Sequence, residues 1–533
     1  MNQILKNHFK LFSYLAIGLV LAVCLLFCVK KSGYYIDEYY LYTIANGTQL
    51  GIAIEPGSWN DTSGYMDQLV SSGNENFHFH QVYENESNNV HPPLYYYLLH
   101  FVSSVFHDSF SKWIGLSINL ILLIPILFLV REIAWILSGN NEVITILTVL
   151  AYGLSPATVS MVVLIRMYLL LSLWTLLYVY IHVSDLKRDR LSTGRFLFPV
   201  FVAGFMGFLT QYFFVVIMFF ITFVYGFYLM FFCKRVKDAI IYGLTALISL
   251  ISTHLVWPFA YFHIFGGYRG QGAVSQLKDV THYWDRIKTQ FSYLNTMVFG
   301  KTLVLFIPIL IVGVYILFTR CVQLKRSGVN NPVVELSIPT KAFIMILLAA
   351  LLDYAVLGQI SLMDGITCFR HIYTAYALFL ILLPTGLYRL VVHLTKGKTN
   401  IASVVICMVM GLICFLGHYQ KSVLFLYEEE KIATDYAKEH PNAKVVMFQN
   451  DDGNYDSRIQ ELILYPRIYY ASVNDLSTAI DPEIANADEL FVYVSTAVDP
   501  QICFDSIYEQ NKNITEAEHL WDYYAFFSAY KLY

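Results

Sequence analysis

Residues 11–40 read LFSYLAIGLVLAVCLLFCVKKSGYYIDEYY. The first part, Leu11 to Val29, carries no charge and is long enough to cross a bilayer's hydrocarbon core as one helix. It follows Lys6 and Lys10, lacks a small-x-small cleavage pattern and ends in Lys30-Lys31, so it reads as an uncleaved membrane anchor. Beyond the lysines stands an acid pair, Asp37-Glu38, flanked on both sides by tyrosines. The segment therefore predicts a span followed at once by carboxylates at membrane level.

The same apolar signature recurs along the chain. Further spans fall at roughly 112–130, 143–160, 166–183, 196–210, 212–232, 239–261, 302–319, 342–360, 371–390 and 400–418, which with the first makes eleven. Of 533 residues, 57% are hydrophobic and 14% charged, whereas soluble domains run near 45–50% apolar and about 25% charged. That excludes a soluble enzyme and a disordered or collagen-like chain. With the N-terminus inside, the inner connections hold 17 Lys and Arg in 73 residues, and the outer ones 10 in roughly 150. This asymmetry predicts an N-in, C-out topology.

The net charge of -4 hides a split. From Tyr419 onward there are 20 acidic and 8 basic residues; before it, 19 acidic and 27 basic. Nothing in this balance supports nucleic-acid binding. Eight cysteines without a C-x-x-C pair argue against a disulfide framework or a structural metal. The expected fold is an all-α polytopic membrane protein over 1–418, with a first outer loop of interfacial helices at 30–111 and a second large outer loop at 262–301. A small α/β extracytoplasmic domain follows at 419–533, helical at Tyr427–Glu439 and Gln501–Asn511 and β-like at Lys444–Phe448 and Glu489–Val494.

Candidate chemistry gathers on the outer side. Asp37 and Glu38 sit among aromatics, where burial raises a carboxylate toward general-base range. Arg166 and Tyr168 open the fourth span, Gln211-Tyr212 lie at an outer turn, Arg269 follows a span in Gly-Gly-Tyr-Arg-Gly, and Arg370-His371 open the tenth. Each arginine alone reads as an interfacial anchor. Together they read as an anion site, since the guanidinium fork suits phosphate. A base and a phosphate clamp where lipid meets water fit transfer of a sugar from a lipid phosphate to a hydroxyl.

The acid pair, His91-Pro92-Pro93-Leu94-Tyr95-Tyr96, Arg166-Met167-Tyr168 and Thr210-Gln211-Tyr212 together resemble the polytopic C-type glycosyltransferases over roughly residues 1–418. The nearest branch resembled is bacterial glycosyltransferase family 39, related to protein O-mannosyltransferases and aminoarabinose transferases. The resemblance implies a polyprenyl-phosphate-sugar donor, inversion at the anomeric carbon, Asp37 as base, and a first loop of helices parallel to the membrane. The site set is then Asp37 and Glu38 as catalytic residues, with His91, Arg166, Tyr168, Tyr212, Arg269 and Arg370 toward the donor phosphate. The partners are the lipid-linked donor, membrane lipids and a glycan, lipid or protein acceptor. The location is the plasma membrane, or the endoplasmic reticulum in a eukaryote.

Many relatives carry His where Gln211 stands, which puts an acid-base role there in doubt. The tail resembles no catalytic module, and Trp521-Asp522-Tyr523-Tyr524 matches the Trp-Trp-Asp-Tyr-Gly of oligosaccharyltransferases only by coincidence. No dedicated acid is required, because phosphate already leaves well, and no cofactor is expected. A divalent cation is unsupported, since His78, His80 and His91 with Asp61 or Glu84 lack compact ligand spacing. Asp353, inside the ninth span, is either a proton-coupling group or a hydrogen bond to a neighbouring span. Sequons at Asn46, Asn60, Asn85 and Asn513 all fall on the outer side. The alternative function is a transporter or flippase of lipid-linked saccharides, which calls for polar residues near the midplane and an inverted repeat.

Overall fold

The computed structural model describes residues 8–48, 54–327, 332–361, 365–449, 459–522 and 527–533. Among them, ten helices are long and apolar enough to span a membrane, and a bent pair makes an eleventh if its halves count as one. They run Phe9–Lys30, Lys112–Leu137, Tyr168–Asp185, Thr193–Thr210, Phe214–Phe232, Val236–Val256, Leu303–Arg326, Ile338–Ile360, Gly365–Leu394 and Thr399–Tyr419. Each apolar run of the sequence lands on one of them or on the bent pair. The protein is a multi-pass membrane protein.

The third expected span differs. It is not continuous over 143–160 but bends by 51° between Glu142–Gly153 and Pro156–Val163. A residue before proline is pushed out of the α region, and Ser155 is extended at ψ 144, with its side chain capping Thr158. Pro156 then starts the second piece at a position where its missing N–H costs nothing. At the break, Gly153 meets the first span so closely that a Cβ would lie 2.4 Å from Val20 Cγ1. The expected span at 239–261 likewise stops at Val256, before Pro258, and the chain restarts as the short helix Ala260–Phe265.

The chain forms two compact units: Met1–Cys28, Glu86–Tyr95 and Leu116–Leu424 make one, and Val29–Asn85, Tyr96–Gly115 and Phe425–Tyr533 the other. Segments of the first outer loop thus group with the tail rather than with the spans. The reason is a six-stranded sheet, β1 (Ser58–Asp61), β2 (Val445–Gln449), β3 (Arg467–Ser472), β4 (Leu490–Ser495), β5 (Ala517–Asp522) and β6 (Phe527–Leu532), in the order β1-β3-β2-β4-β6-β5. Strands β3, β2 and β4 pair in parallel, and loop strand β1 adds antiparallel to β3, Trp59 opposite Tyr469.

Sequence patterning found β2, β4 and the helices Lys431–Glu439 and Pro500–Gln510 but not β1, β3, β5 or β6. Parallel strands are covered on both faces, so alternation vanishes; in β3, four consecutive residues are buried. Trp521 and Asp522 lie on the edge strand β5, next to a bulge at His519/Trp521. Tyr523-Tyr524 lie outside the described residues.

Candidate active site

The acid pair is divided by its own helix. Helix Ile36–Asn46 follows Tyr35, whose extended backbone serves as the N-cap. Glu38 is its third residue, and its Oε2 accepts the Tyr35 N–H at 2.6 Å, the return half of a capping box. The same oxygen lies 3.0 Å from Lys31 Nζ, with both side chains wholly buried. Glu38, expected with Asp37 as catalytic, is therefore committed to an ion pair and a helix cap. Asp37, one residue earlier, stays partly exposed in the first turn, where the helix dipole favours an anion. Around this turn the rings of Tyr34, Tyr39, Tyr42 and Phe110 pack, Tyr34 and Tyr42 each 5.1 Å from Phe110. Tyr42 donates to Ser111 O.

The cationic site belongs to the other unit and is built outward from Asn119. Tyr95, in the His-Pro-Pro-Leu-Tyr-Tyr stretch, donates to Asn119 Oδ1 at 3.0 Å. The Asn119 amide donates to the Val162 and Leu164 carbonyls at 3.0 and 2.7 Å. One buried side chain thus ties the segment bearing His91 to the turn bearing Arg166. Arg166 is 4% exposed, and its Nη2 donates to His91 Nε2 at 3.0 Å. His91 must then be neutral, with its proton on Nδ1. Burial first, then the guanidiniums of Arg166 and Arg269 and the rings of His371 and His263, hold the His91 pKa well below the ordinary histidine value. The local field is positive.

Arg370 and His371 close the same cluster. Arg370 is 4% exposed and donates to Thr367 O at 3.2 Å. His371 packs against Tyr168 and Phe213 at 5.9 and 5.8 Å between ring centres, and its buried Nδ1 has no hydrogen-bond partner among the described residues. Arg269 differs: it is exposed, with its guanidinium 5.3 Å over the Tyr268 ring. Tyr212 is engaged structurally. Trp257 Nε1 donates to its hydroxyl at 3.0 Å, that hydroxyl lies 2.9 Å from His263 Nδ1, and His263 Nε2 lies 3.1 Å from Ser87 O. The Ser87 carbonyl only accepts, so a neutral His263 donates from Nε2 and accepts at Nδ1, and the line runs Trp257 to Tyr212 to His263 to Ser87. Burial lowers the His263 pKa, in keeping with a neutral ring.

Sequence reasoning missed Asn119, Trp257 and His263. Asn119 was legible only as a polar residue inside an apolar run; nothing in the local pattern marked His263. Gln211 caps Phe198–Thr210 and accepts from the Tyr212 N–H. Asp353 is buried, and its Oδ2 accepts from Thr374 Oγ1 of the neighbouring span at 2.7 Å. Among the described residues no three His, Cys, Asp or Glu converge to hold a metal ion. Asn46 and Asn85 of the sequons are buried and donate to backbone carbonyls, so folding removes both as modification sites.

No family model and no curated protein matches the sequence. Among solved structures the chain is similar to ArnT from Cupriavidus metallidurans bound to undecaprenyl phosphate, at 10% identity and a TM-score of 0.50 over 97% of each chain. The apo state of that protein gives 11% identity and 0.47, again over 97% of each chain. The archaeal oligosaccharyltransferase AglB from Archaeoglobus fulgidus, with an inhibitory peptide and a dolichol-phosphate, gives 10% identity and 0.42 over 93% of this chain and 71% of that one. At such identities the likeness is one of architecture: this chain has the fold of the ArnT structure.

Proposed function

We propose that the protein is a membrane glycosyltransferase that moves a hexosyl or pentosyl group from a polyprenyl-phosphate donor to a hydroxyl of a glycan, lipid or protein, with inversion. The observation that carries this reading is the buried Arg166–His91 pair in a positive field, in a fold whose solved neighbour holds undecaprenyl phosphate. In the reaction, the acceptor oxygen attacks the anomeric carbon as the bond to the phosphate oxygen breaks, and Asp37 takes the hydroxyl proton. Arg166, Arg370 and Arg269 stabilise the phosphate charge that grows on the leaving group. His91, kept neutral, orients the Arg166 fork. Glu38 fixes the turn that carries Asp37.

Two measurements test the proposal. Transfer from a polyprenyl-phosphate sugar by purified Asp37→Asn protein should fall about 10²–10⁴-fold, the usual share of a general base. Turnover like the parent's removes Asp37 as base. The outer-face assignment, which rests on the distribution of Lys and Arg, is tested by labelling single cysteines in a variant stripped of native ones. Asn60→Cys, Ser275→Cys and Ile480→Cys should label from outside and Arg190→Cys should not. The reverse pattern inverts the topology.

A further inference from the structure

Lys31 reads in the sequence as one of two charges that flank the end of a span. The structure gives it a different place: the side chain is wholly buried, and its Nζ lies 3.0 Å from Glu38 Oε2 and 2.8 Å from Phe425 O. The rings of Tyr427 and Tyr34 lie 5.5 and 5.8 Å from the ammonium. A buried ammonium is tolerated only where it is paired and hydrogen-bonded, and here the pairing reaches from the end of the first span to the first residues of the acidic tail.

The backbone confirms how close that junction is. Ser32 N–H donates to Leu426 O at 2.8 Å, and Gln460 Nε2 donates to Ser32 O at 2.7 Å. Phe425 and Tyr427 both adopt positive φ, 66° and 49°, a conformation that side-chain-bearing residues keep only when the surroundings enforce it. Gly33 leaves no room for a side chain: a Cβ there would lie 2.0 Å from Glu430 Oε2 and 2.8 Å from Tyr427 Cβ. The glutamate tip can swing aside. The tyrosine Cβ, fixed to the backbone, cannot.

We propose that Lys31 and the tail's opening segment, Phe425 to Glu430, form the mount that positions the base, with Lys31 acting through Glu38 as a positioning residue. Glu38 Oε2 takes the Lys31 ammonium and the Tyr35 N–H at once, so it sets the first turn from which Asp37 projects. The tail, which carries no catalytic motif, thereby acquires a part in the transfer reaction. The inference rests on Asp37 being the base.

Steady-state transfer in nanodiscs, with kcat and donor KM resolved separately, tests it on the full chain. Lys31→Met removes the cation from a buried Glu38, so that variant is paired with Lys31→Met/Glu38→Gln, which buries no uncompensated charge and keeps a folded control. The double variant should lose about tenfold to a hundredfold in kcat, the cost of misplacing a reacting group by an ångström or less, with donor KM within about twofold of the parent. Lys31→Arg should recover most of the loss. Gly33→Ala, which displaces the Glu430 carboxylate and the tail's opening segment but replaces neither Lys31 nor Glu38, should lower kcat in the same manner. If the double variant and Gly33→Ala both turn over like the parent while Asp37→Asn is dead, the mount is overturned and the base stands. If Asp37→Asn is itself active, the base assignment falls first. A purely structural role lowers the melting temperature and leaves the kcat of the folded fraction unchanged, which also overturns the proposal.

Discussion

The two charged regions of this protein are built on opposite plans. Around Asp37 a buried pair of opposite charge is built into the fold: Glu38 and Lys31 neutralise each other, both side chains wholly buried. Around His91 the field is positive, while the buried carboxylate of Glu86 acts on Tyr212 close by. The groups that act electrostatically on His91 are two guanidiniums and two imidazoles, and each depresses its pKa. A self-neutralised mount needs nothing from outside and keeps one geometry. A cluster in which the guanidiniums dominate is a site that an anion improves. Taken with the reaction proposed above, one region is prepared to hold a proton acceptor still and the other to receive phosphate.

This contrast breaks first at Asp37. In Asp37→Asn the catalytic rate should drop about 10²–10⁴-fold, while affinity for polyprenyl phosphate stays that of the parent, because the carboxylate belongs to the other region. Glu38→Gln should behave differently, since it leaves Lys31 as a buried lone charge. Stability should fall by about 3–5 kcal/mol, the usual cost of breaking a buried pair from one side, and the unfolding midpoint in detergent reads it. A Glu38→Gln protein as stable as the parent denies that the mount is self-neutralised.

The cationic region is sharpened by replacing Arg with Lys. Charge is kept and the fork is lost, so a clamp should weaken and an anchor should not. Arg166→Lys and Arg370→Lys should each cost about tenfold to a hundredfold in affinity for polyprenyl phosphate, the worth of one charge-assisted hydrogen bond, about 1.5–3 kcal/mol. Arg269→Lys should cost less. Its glycine-rich turn makes it attractive in the sequence, but the structure leaves it exposed over Tyr268, whereas Arg166 and Arg370 are buried. If all three lysine variants bind like the parent, the residues are anchors.

The fold was legible because a membrane span is a long-range average: twenty apolar residues announce themselves whatever each one touches. What stayed hidden depends on single neighbours. The break at Ser155-Pro156 disappears in the apolar average, although a residue before proline marks it. Strand β3 is covered on both faces and so shows no alternation. The site followed the same rule. Arg166, Arg370 and His91 were legible as residue types at span ends and in a motif. The division of labour between Asp37 and Glu38 was not, because it turns on where Lys31 goes, and a lysine after a span reads as a topological charge. Asn119, which ties two motifs together, and the Trp257–Tyr212–His263 line are contacts between segments far apart in sequence.

The smallest expected effect tests the positive field at His91 through pH. His91 and His263 both have pKa values below the ordinary 6.5 in the folded protein. A base with a lowered folded pKa binds its proton more readily when the chain is unfolded. Its contribution to stability is therefore complete above pH 6.5 and is lost as pH falls below that value toward the folded pKa. The unfolding midpoint in detergent should decline from pH 7.5 to 5.5, and His91→Gln should flatten part of that decline. Polyprenyl phosphate should flatten it too, because a phosphate beside Arg166 opposes the field that depresses His91. A hydrophobic ligand of the same chain length without the phosphate should raise the midpoint without changing its slope against pH. If the phosphate-bearing and phosphate-free lipids give the same slope, the anion does not enter the field around His91, and the cluster serves something other than the donor phosphate.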